Sequence, residues 1–225
     1  MVVLVPTEEE IAPFRRRLEA DCRKDIRIEI CGVGMAAVVE AAVRILYEKK
    51  GDGWLGRLKR RGNRTPNLII LAGIAGAYTG SSVEIGDCVL VSEERLADAG
   101  AFREATFKVF IQPVYISPWV HYFPSFPAAK SNTVSVCAAP FLRTREGRAL
   151  SGAAIENMEG AAFFAAVAGS GVPFLELRAI SNRVGDPREK WNIPLATDRL
   201  AAQLEALTDA ATTAKANMKR HRDDD

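Results

Sequence analysis

Apolar and polar positions alternate along the chain in two rhythms. Val2–Val5 is a short continuous apolar run, as expected of a strand covered on both faces. Ile11, Phe14 and Leu18 then recur at helical spacing, and Thr7-x-x-Glu10 fits a capping box that starts this helix. Ile26, Ile28 and Ile30 alternate with polar residues, the period of a strand. Gly32-Val33-Gly34 closes it, and Ala36 to Tyr47 reads as a helix. Further strands are predicted at Leu68–Leu71, at Cys88–Val91 behind the turn signal Gly86-Asp87, at Thr133–Val136 and at Phe174–Ile180. Ile155 to Val167 reads as an Ala/Phe-rich buried helix ending near Gly169 and Gly171. Leu200, Leu204 and Leu207 mark a final amphipathic helix.

Strands alternating with helices predict a mainly parallel sheet with helices on both faces. Three stretches fall outside this rhythm. Residues 49–66 are Gly-rich and basic and read as a solvated connection, because only Trp54 offers a face for a base to stack on. Residues 101–130 are irregular, with Pro113, Pro118, Pro124 and Pro127 among several aromatics, and read as a lid or binding loop. Residues 218–225 form a charged tail that is expected to fray, which leaves 1–217 as one domain.

Composition removes several function classes. The chain has 225 residues, 48% of them apolar, enough to bury a core and exclude general disorder. A net charge of +2 gives no support for nucleic acid as a partner. No apolar run approaches the ~18 residues of a membrane span. The segment MVVLVPTEEE lacks the basic flank of a secretory signal. None of Cys22, Cys31, Cys88 and Cys137 lies at CxxC spacing, and His121 and His221 are the only histidines. Cys31, Cys88 and Cys137 sit in or beside strand-like runs and read as small hydrophobes in a reducing cytoplasm. No metal site and no cofactor are expected.

In such sheets, ligands bind beyond the carboxyl ends of the strands. The first strand ends in Thr7-Glu8-Glu9-Glu10, where acids suit a helix N-terminus, and Glu10 has a second possible use as a base in a cleft. The second ends in Gly32-Val33-Gly34-Met35-Ala36-Ala37, which matches GxGxxG/A. A dinucleotide site would need an acid about 20 residues later, at the end of the next strand. That strand ends in Ala72-Gly73, so close packing and backbone approach to some ligand is the preferred reading. At Gly73-Ile74-Ala75-Gly76, two small turns would let backbone N–H groups face a ligand, with no Walker-type Lys behind them. Glu159 precedes the most apolar helix, either as a first-turn acid or as a functional carboxylate. Arg178 has Glu176 or Glu159 as possible partners, while Ser181 and Asn182 fall where a ligand should lie. The Asn amide suits a purine edge.

In this order, TEEEIAPF, GVGMAA, LAGIAGAY, ENMEGAA and RAISN resemble the purine nucleoside phosphorylase/nucleosidase superfamily over roughly residues 2–210. The resemblance is nearest to its nucleosidase branch, which includes the methylthioadenosine/S-adenosylhomocysteine nucleosidases. Within that branch, RAISNRVGDPREKWNIPLA resembles the futalosine hydrolases of the alternative menaquinone pathway. The resemblance implies a single-domain three-layer α/β/α fold with a mixed, mainly parallel sheet, and a homodimer or higher homo-oligomer. It places Glu10 on the acid that activates water, Glu159 on the acid that binds the ribose hydroxyls and Met158 beneath the sugar. Asn182 replaces an Asp that protonates N7 in the adenine-specific enzymes, Ile74 replaces a Ser, and Phe141 offers an aromatic face to the base.

The chemistry of N-glycoside cleavage fits these assignments. Positive charge builds on the sugar and negative charge on the leaving base, and the site must stabilise both. A neutral amide at 182 cannot act as an acid, so a 6-oxopurine, hypoxanthine, is expected. Acids at 8–10 and Ile74 would not hold phosphate, which favours water as nucleophile over phosphorolysis. An adenine nucleosidase, a phosphorylase and a non-catalytic dinucleotide-binding module built on GVGMAA remain the alternatives.

Overall fold

The computed structural model describes residues 1–47, 66–103, 106–110, 113–137 and 152–223. The connection read over 49–66 lies outside these residues save for its last position, and Phe141 lies outside them. The elements are β1 (Val2–Val5), α1 (Glu8–Ala20), β2 (Arg27–Ile30), α2 (Met35–Tyr47), β3 (Ile69–Ala77), β4 (Cys88–Leu96), β5 (Gly100–Arg103), β6 (Thr106–Val109), β7 (Val114–Ile116), β8 (Ala128–Thr133), β9 (Ile155–Asn157), α3 (Gly160–Val167), β10 (Phe174–Arg183) and α4 (Ile193–Asp223).

Strands β2, β1, β3 and β10 lie side by side and parallel. On the far side of β10, β4 pairs antiparallel. The sheet then turns back on itself, because β8 is parallel to β4, β9 is parallel to β8, and β9 is antiparallel to the end of β3. Strands β3, β10, β4, β8 and β9 therefore form a closed ring. The length of β3 makes this possible. Its first half borders β1 at Ile69–Leu71, and its last residues, Gly76 and Ala77, border β9.

Alternation along the strands divides the core into two layers. Val3 and Val5 pack with Ile70, Ile11 and Phe14 of α1, and Leu200 and Leu204 of α4. Val2 and Leu4 pack with Ile69 and Leu71, Val38 and Ile45 of α2, and Phe163 and Phe164 of α3. The fold is thus a single α/β domain with helices on both faces of a mixed, mainly parallel sheet. Among the described residues no helix is long and apolar enough to cross a membrane.

Five stretches differ from the sequence reading. Gly73-Ile74-Ala75-Gly76 is not a pair of turns, because β3 continues through it to Ala77 with β10 alongside. Residues Ile155–Asn157 form a strand, not the first turn of a helix, since pairing with both β8 and β3 outweighs local helical preference. The fifth predicted strand lies earlier, at Ala128–Thr133. Residues 101–130 are not without structure: they include β6, β7 and most of a β5–β6 hairpin. The helix α4 runs on over 218–223 of the charged tail.

Candidate active site

A cavity of about 360 Å³ opens past the carboxyl end of β1 and along the carboxyl-terminal halves of β3 and β10. That size suits a small organic ligand. Its lining includes Glu10, Ile74, Met158, Glu159, Arg178, Ser181 and Asn182, so seven of the predicted site residues converge there. Gly73 stands behind the wall. A Cβ at that position would sit 2.5 Å from Arg178 Nη1 and 3.4 Å from Glu10 Oε2, so glycine is what lets both side chains reach the cavity. None of the described residues from 101–130 lines it.

Local structure aims each group. The Thr7 hydroxyl caps α1 by accepting from the Glu10 N–H at 3.3 Å, which fixes Glu10 in the first turn. Glu10 is 8% exposed, and its Oε2 has no hydrogen-bond partner among the described residues. Burial pushes its pKa from 4.5 up to about 7, against the pull of Arg178, with a further push from Glu159.

Glu159 is treated differently. It occupies the N-cap position of α3, yet its side chain makes no capping bond. Asn157 Oδ1 caps instead, accepting from the N–H groups of Glu159 at 2.8 Å and Gly160 at 2.7 Å. The Glu159 carboxylate turns into the cavity wall, accepts from the Gly34 N–H at 2.9 Å and pairs with Arg178 Nη2 at 3.1 Å. Gly34 has φ +94°, which few side-chain-bearing residues adopt, so the GVG turn serves to aim a backbone N–H at this acid.

Arg178 is held mainly through Nε and Nη2. Its Nε donates to Glu176 Oε1 at 2.8 Å, and Nη2 donates to Asn157 Oδ1 and Glu159 Oε2, both at 3.1 Å. Both partners weighed from the sequence are therefore used at once. A register shift between Ile180 and Asn182 bulges β10 near its carboxyl end, where it is still paired with β3. Such bulges re-aim side chains beside sites. The Ser181 hydroxyl donates to Asn182 Oδ1 at 2.7 Å, and Asn182 Nδ2 donates to the Arg183 carbonyl at 2.9 Å. One N–H of the amide is left over for a ligand.

The structure adds residues that sequence reasoning did not assign. Val33, Cys137, Arg188 and Trp191 also line the cavity. The Arg188 guanidinium lies 4.6 Å above the Trp191 ring. Cys137 is exposed in a turn after β8, with its sulfur 3.4 Å from Met158 Sδ, so it is not the strand-packed hydrophobe expected. Trp191 lies within the WNIPLA segment that carried the resemblance, a signal that could have placed it.

Comparison with known proteins agrees with this picture. No family model matches the chain. It is 33% identical to a futalosine hydrolase of Streptomyces coelicolor over 162 residues, covering 65% of this chain and 64% of that one. It is 34% identical to a futalosine hydrolase of Thermus thermophilus over 156 residues, covering 61% of this chain and 68% of that one. The chain thus spans about two thirds of the length of these curated relatives. Among solved structures, the methylthioadenosine/S-adenosylhomocysteine nucleosidase of Campylobacter jejuni matches with TM-score 0.67 at 15% identity, covering 93% of this chain and 97% of that one, which establishes likeness of fold. With the seven predicted residues gathered round one cavity and a third of the aligned positions identical to those relatives, the chain belongs to the futalosine hydrolase family.

Proposed function

We propose that the protein is an N-ribosyl hydrolase that cleaves futalosine to hypoxanthine and dehypoxanthinyl futalosine, a step of menaquinone biosynthesis in the cytoplasm. The observation that carries this reading is the contrast between two acids in one cavity. Glu10 has a buried oxygen without a partner and a pKa of about 7, the profile of a base poised for use. Glu159 is instead bound on both sides, by Arg178 Nη2 and the Gly34 N–H.

In this reading Glu10 takes a proton from water as it attacks the anomeric carbon. The C–N bond breaks with its electron pair passing to the base. Glu159 accepts from ribose hydroxyls and faces the cationic sugar, with Met158 against its underside. The remaining N–H of Asn182 donates to the 6-oxopurine, which carries the developing negative charge. The nucleophile is water. Thr7, Glu9 and Glu10 line the side where a phosphorylase would need cations, and Arg178 is committed to acids.

A homodimer completes the proposal. Val33 of the cavity wall is 56% exposed and sits beside an exposed apolar face of α2 that includes Val39, Val43 and Tyr47. Incubation with futalosine, inosine and methylthioadenosine in phosphate-free buffer tests the function. Hypoxanthine from futalosine is expected. Release of adenine from methylthioadenosine alone, or dependence on added phosphate, would overturn it.

A further inference from the structure

Behind the cavity lies a second pair of acids that the proposed chemistry does not touch. Glu94 of β4 and Glu176 of β10 are both completely buried. Gly160 makes room for them. A Cβ there would collide with the Glu94 carboxyl and lie 2.7 Å from Glu176 Oε1. Two ionised carboxylates this close in a low-dielectric interior would repel strongly.

Hydrogen-bond accounting locates the proton that resolves this. Glu94 Oε1 accepts from Asn157 Nδ2 at 2.6 Å, and Oε2 accepts from the Thr133 hydroxyl at 2.8 Å. The second N–H of Asn157 goes to the Ser131 hydroxyl at 2.8 Å. Thr133 Oγ1 itself accepts from the Ala161 N–H at 2.7 Å. Glu176 Oε1 accepts from Arg178 Nε at 2.8 Å, whereas Glu176 Oε2 is buried with no donor from these neighbours. A buried carboxylate oxygen without a donor is costly.

We infer that Glu94 is a neutral carboxylic acid that donates its proton to Glu176 Oε2, and that this pair is the anchor that positions Arg178 against Glu159. The two carboxyls share the space left by Gly160, with Glu94 hydrogen-bonding to Glu176, and the contacts continue from Arg178 Nε to Glu176 Oε1 and from Arg178 Nη2 to Glu159 Oε2. Burial and then the Glu176 charge push Glu94 well above the ordinary carboxylate range. Burial also raises Glu176, but the adjacent Arg178 charge opposes it, which leaves Glu176 as the anion of the two. The other groups facing the pair are Ser131 and Thr133 of β8, Asn157 of β9, Glu159 before α3 and, at longer electrostatic range, Tyr78 after β3. Glu94 and Glu176 are thus positioning residues, and their effect on turnover rests on the ribose role proposed for Glu159.

The test compares wild type with Glu94→Gln, Glu94→Leu and Glu176→Gln. Infrared difference spectra of wild type against Glu94→Gln at about pH 7 should show a protonated-carboxyl C=O stretch that wild type has and Glu94→Gln lacks. Glu94→Leu removes the donor and should lower kcat roughly ten- to a hundredfold with a smaller change in KM, the scale of one buried hydrogen bond left unmade. Glu94→Gln supplies an N–H in the same place and should recover most of that loss. Glu176→Gln removes the anion that anchors Arg178 and should fall as far as Glu94→Leu. A wild-type spectrum without the protonated band, or Glu94→Gln as impaired as Glu94→Leu, would overturn the inference. If Glu94→Leu does not fold, the band and its loss in Glu94→Gln still decide. The band does not depend on which nucleoside is hydrolysed, so failure of the futalosine assay and failure of this inference are separate results.

Discussion

The two walls of the cavity handle the same functional group in opposite ways. On the α1 wall, Glu10 is desolvated, lacks a cationic partner of its own and keeps one oxygen unbonded. On the β10–α3 wall, Glu159 shares in a buried network with Arg178, Asn157 and Glu176. A base must be able to gain and lose a proton near neutral pH, whereas a group that stabilises a cation must stay charged. The difference teaches that function and stability are coupled with opposite signs on the two sides. Glu10 is a charge the fold tolerates for chemistry, and Glu159 is a charge the fold depends on.

The variant with the largest expected effect breaks the α1 side. Glu10→Gln should lower kcat by about 10²–10⁴-fold, the usual scale of a general base, and leave substrate affinity largely intact. It should also melt higher than wild type at about pH 8. Glu10 binds a proton up to about pH 7 in the folded chain but only to about 4.5 when unfolded. Its contribution to stability is therefore full below about pH 4.5 and is lost as pH rises through about 7, by on the order of 3 kcal/mol. Removing the charge removes that loss. A variant that melts lower and still turns over would reduce Glu10 to a helix-capping residue.

Next in size, Glu159→Gln should damage rate and binding together and lower the melting temperature, because it leaves the buried Arg178 charge short of a partner. Breaking such a pair costs about 3–5 kcal/mol. Steady-state kinetics beside a thermal melt separate the two walls, with opposite shifts in melting temperature expected for the same chemical change. The smallest effect is expected at Asn182. Asn182→Asp should lower kcat/KM on futalosine and raise any trace activity on an adenine nucleoside, each by about 1–3 kcal/mol in transition-state terms. An unchanged ratio of specificity constants would remove Asn182 from the base site.

Much of the cavity was legible because strand ends are legible. The Val2–Val5 run, the alternation over Ile26–Ile30 and the apolar run at Phe174 point to where polar residues must collect, and Glu10, Ser181 and Asn182 stand just there. Ile155–Asn157 was not legible, since three apolar-to-polar residues ahead of an Ala-rich helix look helical until two partner strands flank them. The strand nature of Gly73–Ala77 was hidden for a related reason. Glycine there reads as a turn, and only the approach of Arg178 and Glu10 explains why no side chain fits. Glu94 left no local signal at all. Its partners Thr133, Asn157 and Glu176 come from three other strands and meet only because the ring closes.

The central claim is that Glu10 is the titrating base of this cavity, and the carboxyl group itself can be followed. With ¹³C-labelled glutamate side chains, comparison of wild type with Glu10→Gln assigns its resonance, and a pH titration then reads its ionisation beside the rising limb of kcat/KM. The account predicts that both midpoints coincide at about 7. A midpoint for Glu10 near the ordinary 4.5, with kcat/KM flat through neutrality, would contradict it.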